Sequence, residues 1–213
     1  MTPAQADRFY ALLAERNPEP RSDLEYADPY TLLVAVVLSA QATDSGVNKA
    51  TRPLFARVNT PQAMVELGEE GLAQYIRTIG LYKTKARNVI ELSRRLLAEH
   101  GGKVPHDRAA LEALPGVGRK TANVVLNIAF GEPTIAVDTH CFRVANRTGL
   151  APGKTVLDVE QGLMKATPTK WMQHAHHWLI LHGRYTCTAR KPACPACPIN
   201  DICRYPDKTP PVA

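Results

Sequence analysis

Leu114-Pro115-Gly116-Val117-Gly118-Arg119-Lys120-Thr121-Ala122 is the stretch on which the reading of this chain turns. Two glycines separated by one residue, between a short apolar-patterned segment and a helix-forming run, specify a tight turn with positive φ joining two helices. They leave backbone N–H groups bare at the start of the second helix, where orphan donors and the helix dipole together favour a phosphate. Such a turn grips a nucleic-acid backbone without reading its sequence. Gly-x-Gly alone describes any glycine-containing helix–helix turn; the Leu-Pro before it and the basic pair after it favour a helix-hairpin-helix. Lys120 falls in the first turn of the second helix, where the positive dipole end disfavours an ammonium by about 0.3–1 kcal/mol. Burial in a cleft would disfavour the charge further, and a neutral amine is a nucleophile able to form a Schiff base. From this motif alone, a phosphate-binding lysine is an equal alternative.

Eighteen residues beyond Lys120 comes Val137-Asp138-Thr139-His140. A carboxylate at a helix N-cap is held by backbone N–H groups and stays ionised. Facing a cleft it would deprotonate a nucleophile or stabilise a cationic sugar; facing solvent it is a plain helix cap, unless Lys120 is near.

Outward from these motifs, nearly every segment reads as helix. Thr2-Pro3 opens a helix to about Arg16, and Asp28-Pro29 opens another, whose apolar run Leu32–Leu38 marks it as central. Val47, Ala50, Leu54 and Val58 recur at helical spacing after Ala42-Thr43-Asp44. Thr60-Pro61 begins a helix ending near Ile79, and Ala86, Val89, Ile90 and Leu97 mark its successor. A short helix about 109–114 leads into the hairpin, and another runs from about Arg119 to Phe130. Thr134–Val137 is strand-like but has no partner, so it reads as a linker ahead of a helix to about Arg147; a last long helix spans Thr169 to His182. The class is all-α, with no repeat array and a proline-rich end at Pro206–Pro211.

The chain has 213 residues, 45% of them hydrophobic, enough for one large or two small domains. No apolar run approaches the ~18 residues of a membrane span, and the first residues lack the layout of a signal peptide, so neither a membrane nor export is expected. A net charge of +6 suits a polyanion. Arg77, Lys83, Lys85, Arg87, Arg94 and Arg95 cluster against one acid, Glu91; a solvated helix face explains that run equally well.

Of five cysteines, four fall between residues 187 and 203 as Cys187-x6-Cys194-x2-Cys197-x5-Cys203. Without an export signal the cluster points to metal rather than disulfides. Four thiolates suit a cubane or a tetrahedral zinc, but zinc sites usually show two close Cys pairs and this one has a single pair, favouring iron–sulfur. Arg190 and Lys191, within the first interval, would be presented as phosphate contacts. Cys141 reads as a small buried apolar residue. His174, His176, His177 and His182 receive no role.

Together the Leu114–Ala122 hairpin, Val137–His140 and the four-cysteine spacing resemble the bacterial endonuclease III family. Leu38-Ser-Ala-Gln41-Ala-Thr-Asp44, Ile79-Gly-Leu81-Tyr-Lys83 and His182-Gly-Arg-Tyr-Thr-Cys187 are similar to the same family, so the resemblance runs from about Asp28 to Cys203. It implies two all-α domains: a six-helix barrel over 22–132 bearing the helix-hairpin-helix, and a cluster domain from 1–21 with 133–213. It places Lys120 and Asp138 in a cleft between them as catalytic residues, and a 4Fe–4S cluster on Cys187, Cys194, Cys197 and Cys203. The implied partner is double-stranded DNA with a damaged base or an abasic site, the base being an oxidised or ring-saturated pyrimidine flipped from the stack. Gln41 and Leu81 match residues that enter the vacated space. Gly116, Val117, Gly118 and Arg119 match the phosphate-binding hairpin, and His140, Arg190 and Lys191 join the DNA contacts. The implied activity is a glycosylase with lyase function, acting as a monomer in the cytoplasm on nucleoid DNA. Lys120 separates the chain from adenine- and thymine-mismatch glycosylases of similar scaffold, which have another residue there. Its departures from the family pattern are Pro195 and Ala196 between two ligands, and Cys141 at a usually apolar position.

Overall fold

The computed structural model describes residues 1–210; residues 211–213, the end of the expected cluster domain and including Pro211 of the proline-rich end, lie outside the described residues. Among the described residues there are ten α-helices and no strand: α1 (Pro3–Arg16), α2 (Pro29–Ser39), α3 (Asp44–Phe55), α4 (Pro61–Ile76), α5 (Tyr82–His100), α6 (Arg108–Glu112), α7 (Arg119–Phe130), α8 (Thr139–Thr148), α9 (Val156–Ala166) and α10 (Met172–Tyr185). The all-α class is therefore the observed one. No helix is long and apolar enough to cross a membrane.

Helix starts follow local chemistry. Thr2, Asp28, Thr43, Thr60, Asp107, Asp138 and Thr155 each accept a backbone N–H of the first turn, and such a cap contributes about 1 kcal/mol. Proline opens α1, α2 and α4, where its missing N–H leaves nothing unpaired.

Three boundaries differ from the sequence reading. α4 stops at Ile76 rather than near Ile79, and it kinks at Gly68, whose φ is 72°. The last helix begins at Met172 after a 3-10 turn over Thr169–Trp171 and continues to Tyr185. α9 was not anticipated, although its capping box, Thr155 with Asp158, is a readable start signal. Val58 is buried but lies beyond α3.

The chain divides into two compact units, Ser22–Gly131 and Met1–Arg21 with Glu132–Ala213. The first contains α2 to α7. Its centre is α2, where Tyr30 to Leu38 are all buried, so an all-round apolar helix is interior by composition. Buried Leu72, Ile76, Ile90, Leu96 and Val125 surround the same core. The second unit packs Phe9, Tyr10 and Leu13 of α1 with Val144, Leu163, Trp178, Leu179 and Ile199. Its one buried phenol is satisfied, Tyr10 Oη lying 2.8 Å from Thr167 Oγ1.

Candidate nucleic-acid interface and metal centre

The hairpin links α6 to α7. Backbone bonds from Leu114 N–H to Leu111 O (3.0 Å) and from Val117 N–H to Leu114 O (3.1 Å) close the turn, and the buried side chains of Leu114 and Val117 pin it. The two glycines do different work. Gly116 has φ 77°, and a Cβ there would stand 3.0 Å from Asn88 Nδ2. Gly118 was expected to share the positive φ but has φ −98°, and nothing lies within 4 Å of its missing Cβ. The folded protein does not itself require glycine at 118; the open space suits something approaching from outside. Gly118 is the N-cap of α7, no side chain caps that helix, and its first turn holds no acid, so the donors face an approaching anion.

Arg119 is turned toward Glu112, with 4.0 Å between Nη1 and Oε1. Lys120 is exposed at the start of α7.

Gln41 and Leu81 are the non-glycine residues of positive φ, at 54° and 59°. Both are exposed, Leu81 to 65%. A left-handed backbone under a projecting leucine is an uncommon arrangement found where a site imposes it.

In the other unit Asp138 is the N-cap of α8, its Oδ1 accepting the Cys141 N–H at 2.8 Å. The cap fixes the carboxylate at the helix start, half-buried. His140, the second residue of α8, has Nδ1 3.1 Å from Arg143 Nη2, the guanidinium donating. Gly183 of α10 packs against His140 so closely that a Cβ would lie 2.8 Å from the histidine Cβ.

Cys187, Cys194, Cys197 and Cys203 line one cavity, with Thr148, His182, Ile199 and Tyr205 among its walls. Burial pushes the Cys197 thiol up to about 11, and the three other cysteines add to the rise. Burial likewise raises Cys203, with Cys187 and Cys194 contributing. To serve as thiolates, Cys197 and Cys203 call for a cationic centre beside them. No group of three or more His, Cys, Asp or Glu among the described residues is placed to hold a single metal ion. Four sulfurs around one cavity that do not converge on a single ion fit a polynuclear iron–sulfur cluster. His182 borders the cavity with Nε2 3.7 Å from Cys197 Sγ, and burial lowers its pKa to about 4.

Two arginines of α8 that the sequence reading passed over fasten this loop. Arg143 donates to Cys187 O (3.0 Å) and Gly183 O (2.7 Å). Arg147 donates to Thr188 O (2.7 Å), to Ala189 O (2.8 Å) and, at 3.7 Å, to Cys187 Sγ, and lies over the Tyr205 ring. Their spacing of four along a helix whose other face is apolar was the available signal. Arg190 and Lys191 project exposed from the loop so held. Cys141 is fully buried in the core, as expected.

A family model described as HhH-GPD superfamily base excision DNA repair protein matches residues 34–169, and the iron-sulfur binding domain of endonuclease III matches residues 187–203. Endonuclease III of Escherichia coli (strain K12) is 60% identical over 208 residues, covering 98% of this chain and 99% of its own. That of Haemophilus influenzae is 61% identical over 92% of this chain and 93% of its own. Among solved structures, a trapped endonuclease III–DNA covalent intermediate superposes with a TM-score of 0.89 at 46% identity, covering 96% of each chain. A thermostable thymine-DNA glycosylase gives 0.86 at 26% identity, covering 95% of this chain and 96% of its own.

Proposed function

This chain belongs to the endonuclease III family of the HhH-GPD base excision repair superfamily, and from that premise we propose that it excises oxidised or ring-saturated pyrimidines from duplex DNA with Lys120 as nucleophile. As a member it is a DNA glycosylase with lyase activity and carries a 4Fe–4S cluster.

One observation carries the assignment of the nucleophile: Lys120 stands exposed in the first turn of α7, two residues beyond the open space at Gly118. A strand whose phosphate occupies that space brings its sugar within reach of the amine. A relative 46% identical to this chain was captured as a covalent intermediate with DNA, which supports a nucleophilic side chain.

The roles follow from the chemistry. Asp138 takes a proton from the Lys120 ammonium and steadies positive charge developing on the sugar. The Lys120 amine attacks C1′, the C1′–N bond breaks, and the base departs with its electron pair and gains a proton. Opening of the sugar ring gives an iminium between Nζ and C1′. That cation acidifies C2′–H; loss of the proton forms the C2′=C3′ bond and expels the 3′ phosphate by β-elimination. Water then hydrolyses the imine and frees Lys120.

Gln41 and Leu81 fill the space left by the flipped nucleotide, a role supported by their exposed, left-handed positions. Gly116, Val117, Gly118 and Arg119 hold a phosphate at the hairpin, and His140, Arg190 and Lys191 add contacts. Cys187, Cys194, Cys197 and Cys203 would hold the cluster, whose iron–thiolate bonds tie the loop into one shape. The protein acts as a monomer in the cytoplasm on nucleoid DNA.

Borohydride trapping tests the proposal. The protein is incubated with a duplex containing thymine glycol and reductant, and a covalent complex is sought on a denaturing gel. A band lost in Lys120→Ala, with DNA affinity retained, is the expected result. Base release without a band would replace the proposal with a monofunctional glycosylase.

A further inference from the structure

The basic run of α5 contains a cation that the chemistry above does not use. Lys85 is 5% exposed, and its Nζ has no hydrogen-bond partner. Its neighbours in the run are engaged differently: Arg94 and Arg95 face Glu91, and Arg95 also donates to Ala113 O. Burial lowers the Lys85 pKa, and no carboxylate offsets that effect. A lysine is almost never so fully covered without a partner, and an unpaired buried ammonium destabilises the fold that contains it.

Its position says what partner would suit it. α5 begins without a side-chain cap, its N-cap Leu81 is left-handed, and its first turn holds no acid. The first bond of the helix runs from the Lys85 N–H to Leu81 O at 3.0 Å, so the N–H groups of Tyr82, Lys83 and Thr84 have no acceptor within the helix. Long side chains on a helix lean back toward its N-terminus, which carries the Lys85 chain over this open turn. Leu81 lies four residues before Lys85 and Asn88 three after it, so all three share one helix face. Asn88 in turn packs under Gly116 of the hairpin. Lys85 therefore stands on the helix face between the projecting leucine and the residue that packs under the hairpin.

We infer that Lys85 and the open N-terminus of α5 form a second phosphate site, which takes a backbone phosphate of the DNA next to Leu81. The amine is covered in the free protein and turns outward about its side-chain torsions when the phosphate arrives. The inference rests on the DNA-glycosylase reading above. It implies that Lys85 is retained for binding at the expense of stability.

The test uses the cluster-loaded, full-length protein and a duplex carrying a tetrahydrofuran abasic analogue, with affinity measured across a potassium chloride series. Lys85→Met should reduce the salt slope of log affinity by about 0.9, the value of one phosphate contact. At moderate salt its affinity should fall about tenfold, a phosphate lysine weakening all sequences alike. Its melting temperature should rise, because an unpaired ammonium has been replaced by an apolar chain of similar length. Lys85→Arg should keep the wild-type slope, and Lys85→Gln should repeat the loss in a second neutral variant. Neutral variants with the wild-type slope overturn the proposal, whether or not they melt lower, since a structural lysine moves stability and leaves the slope alone. Failure of the wild-type protein to trap on thymine glycol would instead remove the enzymatic reading, so the two failures are distinguishable.

Discussion

Alanine at Gly118 and alanine at Gly116 should move stability in opposite directions. Gly118 has φ −98° and ψ 176°, a conformation any residue adopts, and nothing within 4 Å obstructs a Cβ. Gly→Ala at such a position removes freedom from the unfolded chain and stabilises by about 0.4–1 kcal/mol. For a chain of this length that raises the melting temperature by about 1–4 °C. At Gly116, φ is 77° and a Cβ would stand 3.0 Å from Asn88 Nδ2 and 3.1 Å from its Cβ. The left-handed backbone costs alanine about 1–2 kcal/mol, and displacing Asn88 brings the loss to about 1–3 kcal/mol.

DNA binding supplies the second axis of that experiment. On the proposed reading the space above Gly118 receives the strand's phosphate, and a methyl group there holds it away from the bare donors of α7. One lost hydrogen bond to a charged group is worth about 1.5–3 kcal/mol, or about 10- to 100-fold in affinity. Thermal melts and equilibrium binding to the abasic-analogue duplex measure both quantities on one preparation. A Gly118→Ala protein that melts higher yet binds DNA as tightly as wild type would refute the phosphate role of the hairpin. One that melts lower would refute the geometry from which the argument starts.

Asp138→Asn should keep the α8 cap and the melting temperature but lose trapping, whereas Asp138→Ala should lose both, the cap contributing about 0.5–2 kcal/mol; full trapping by the asparagine variant would show that the charge is not needed. Arg147→Ala removes the donors to Thr188 O, Ala189 O and Cys187 Sγ, so iron should be lost faster to a chelator, followed by absorbance; an unchanged rate would count against the clamp. Lys85 also predicts a pH effect. Its folded-state pKa lies below the usual 10.5, so between those two values the unfolded chain binds more protons and stability rises with pH. The stability gap between Lys85→Met and wild type should therefore be full below the folded-state value and close as pH approaches 10.5; a constant gap would contradict the buried ammonium.

What was legible in the sequence was whatever local chemistry dictates. α7 was placed at Arg119–Phe130 because a glycine turn opens it and Gly131 ends it in the left-handed region. α1 and α2 were found from Thr-Pro and Asp-Pro, whose geometry is fixed within a few residues. The four cysteines declared a metal by spacing alone, and all four line one cavity. Less was legible where distant segments decide. Arg143 and Arg147 look like solvated helix charges until the cysteine loop is folded against α8. Lys85 looked like one of six basic residues, because nothing in its neighbours announces burial. Gly118 misled in another way: a glycine was taken to mean positive φ, when its backbone is extended and the feature to be read was the empty volume beside it.

In the proposed mechanism the exposure of Lys120 leaves its activation to Asp138 and to the bound strand. A protein pocket that buried the amine would activate it toward any carbonyl compound able to enter. An exposed amine is shielded by water instead, and it becomes a nucleophile only when something covers it. In the proposed reaction the substrate supplies the cover: a nucleotide flipped toward the lysine excludes water and delivers C1′ in the same movement. Reactivity is then coupled to DNA binding, and the hairpin, Leu81 and the loop of Arg190 act on the chemistry by holding the strand in place. The expected consequence is a large preference for macromolecular substrate. At equal concentrations of abasic sites and of free 2-deoxyribose, borohydride should trap the protein on the duplex orders of magnitude faster than on the sugar, the scale set by positioning. Salt that weakens DNA binding should slow the duplex reaction and leave the sugar reaction unchanged. Comparable trapping of the free sugar would mean that Lys120 is activated by the protein alone, and the coupling would have to be abandoned.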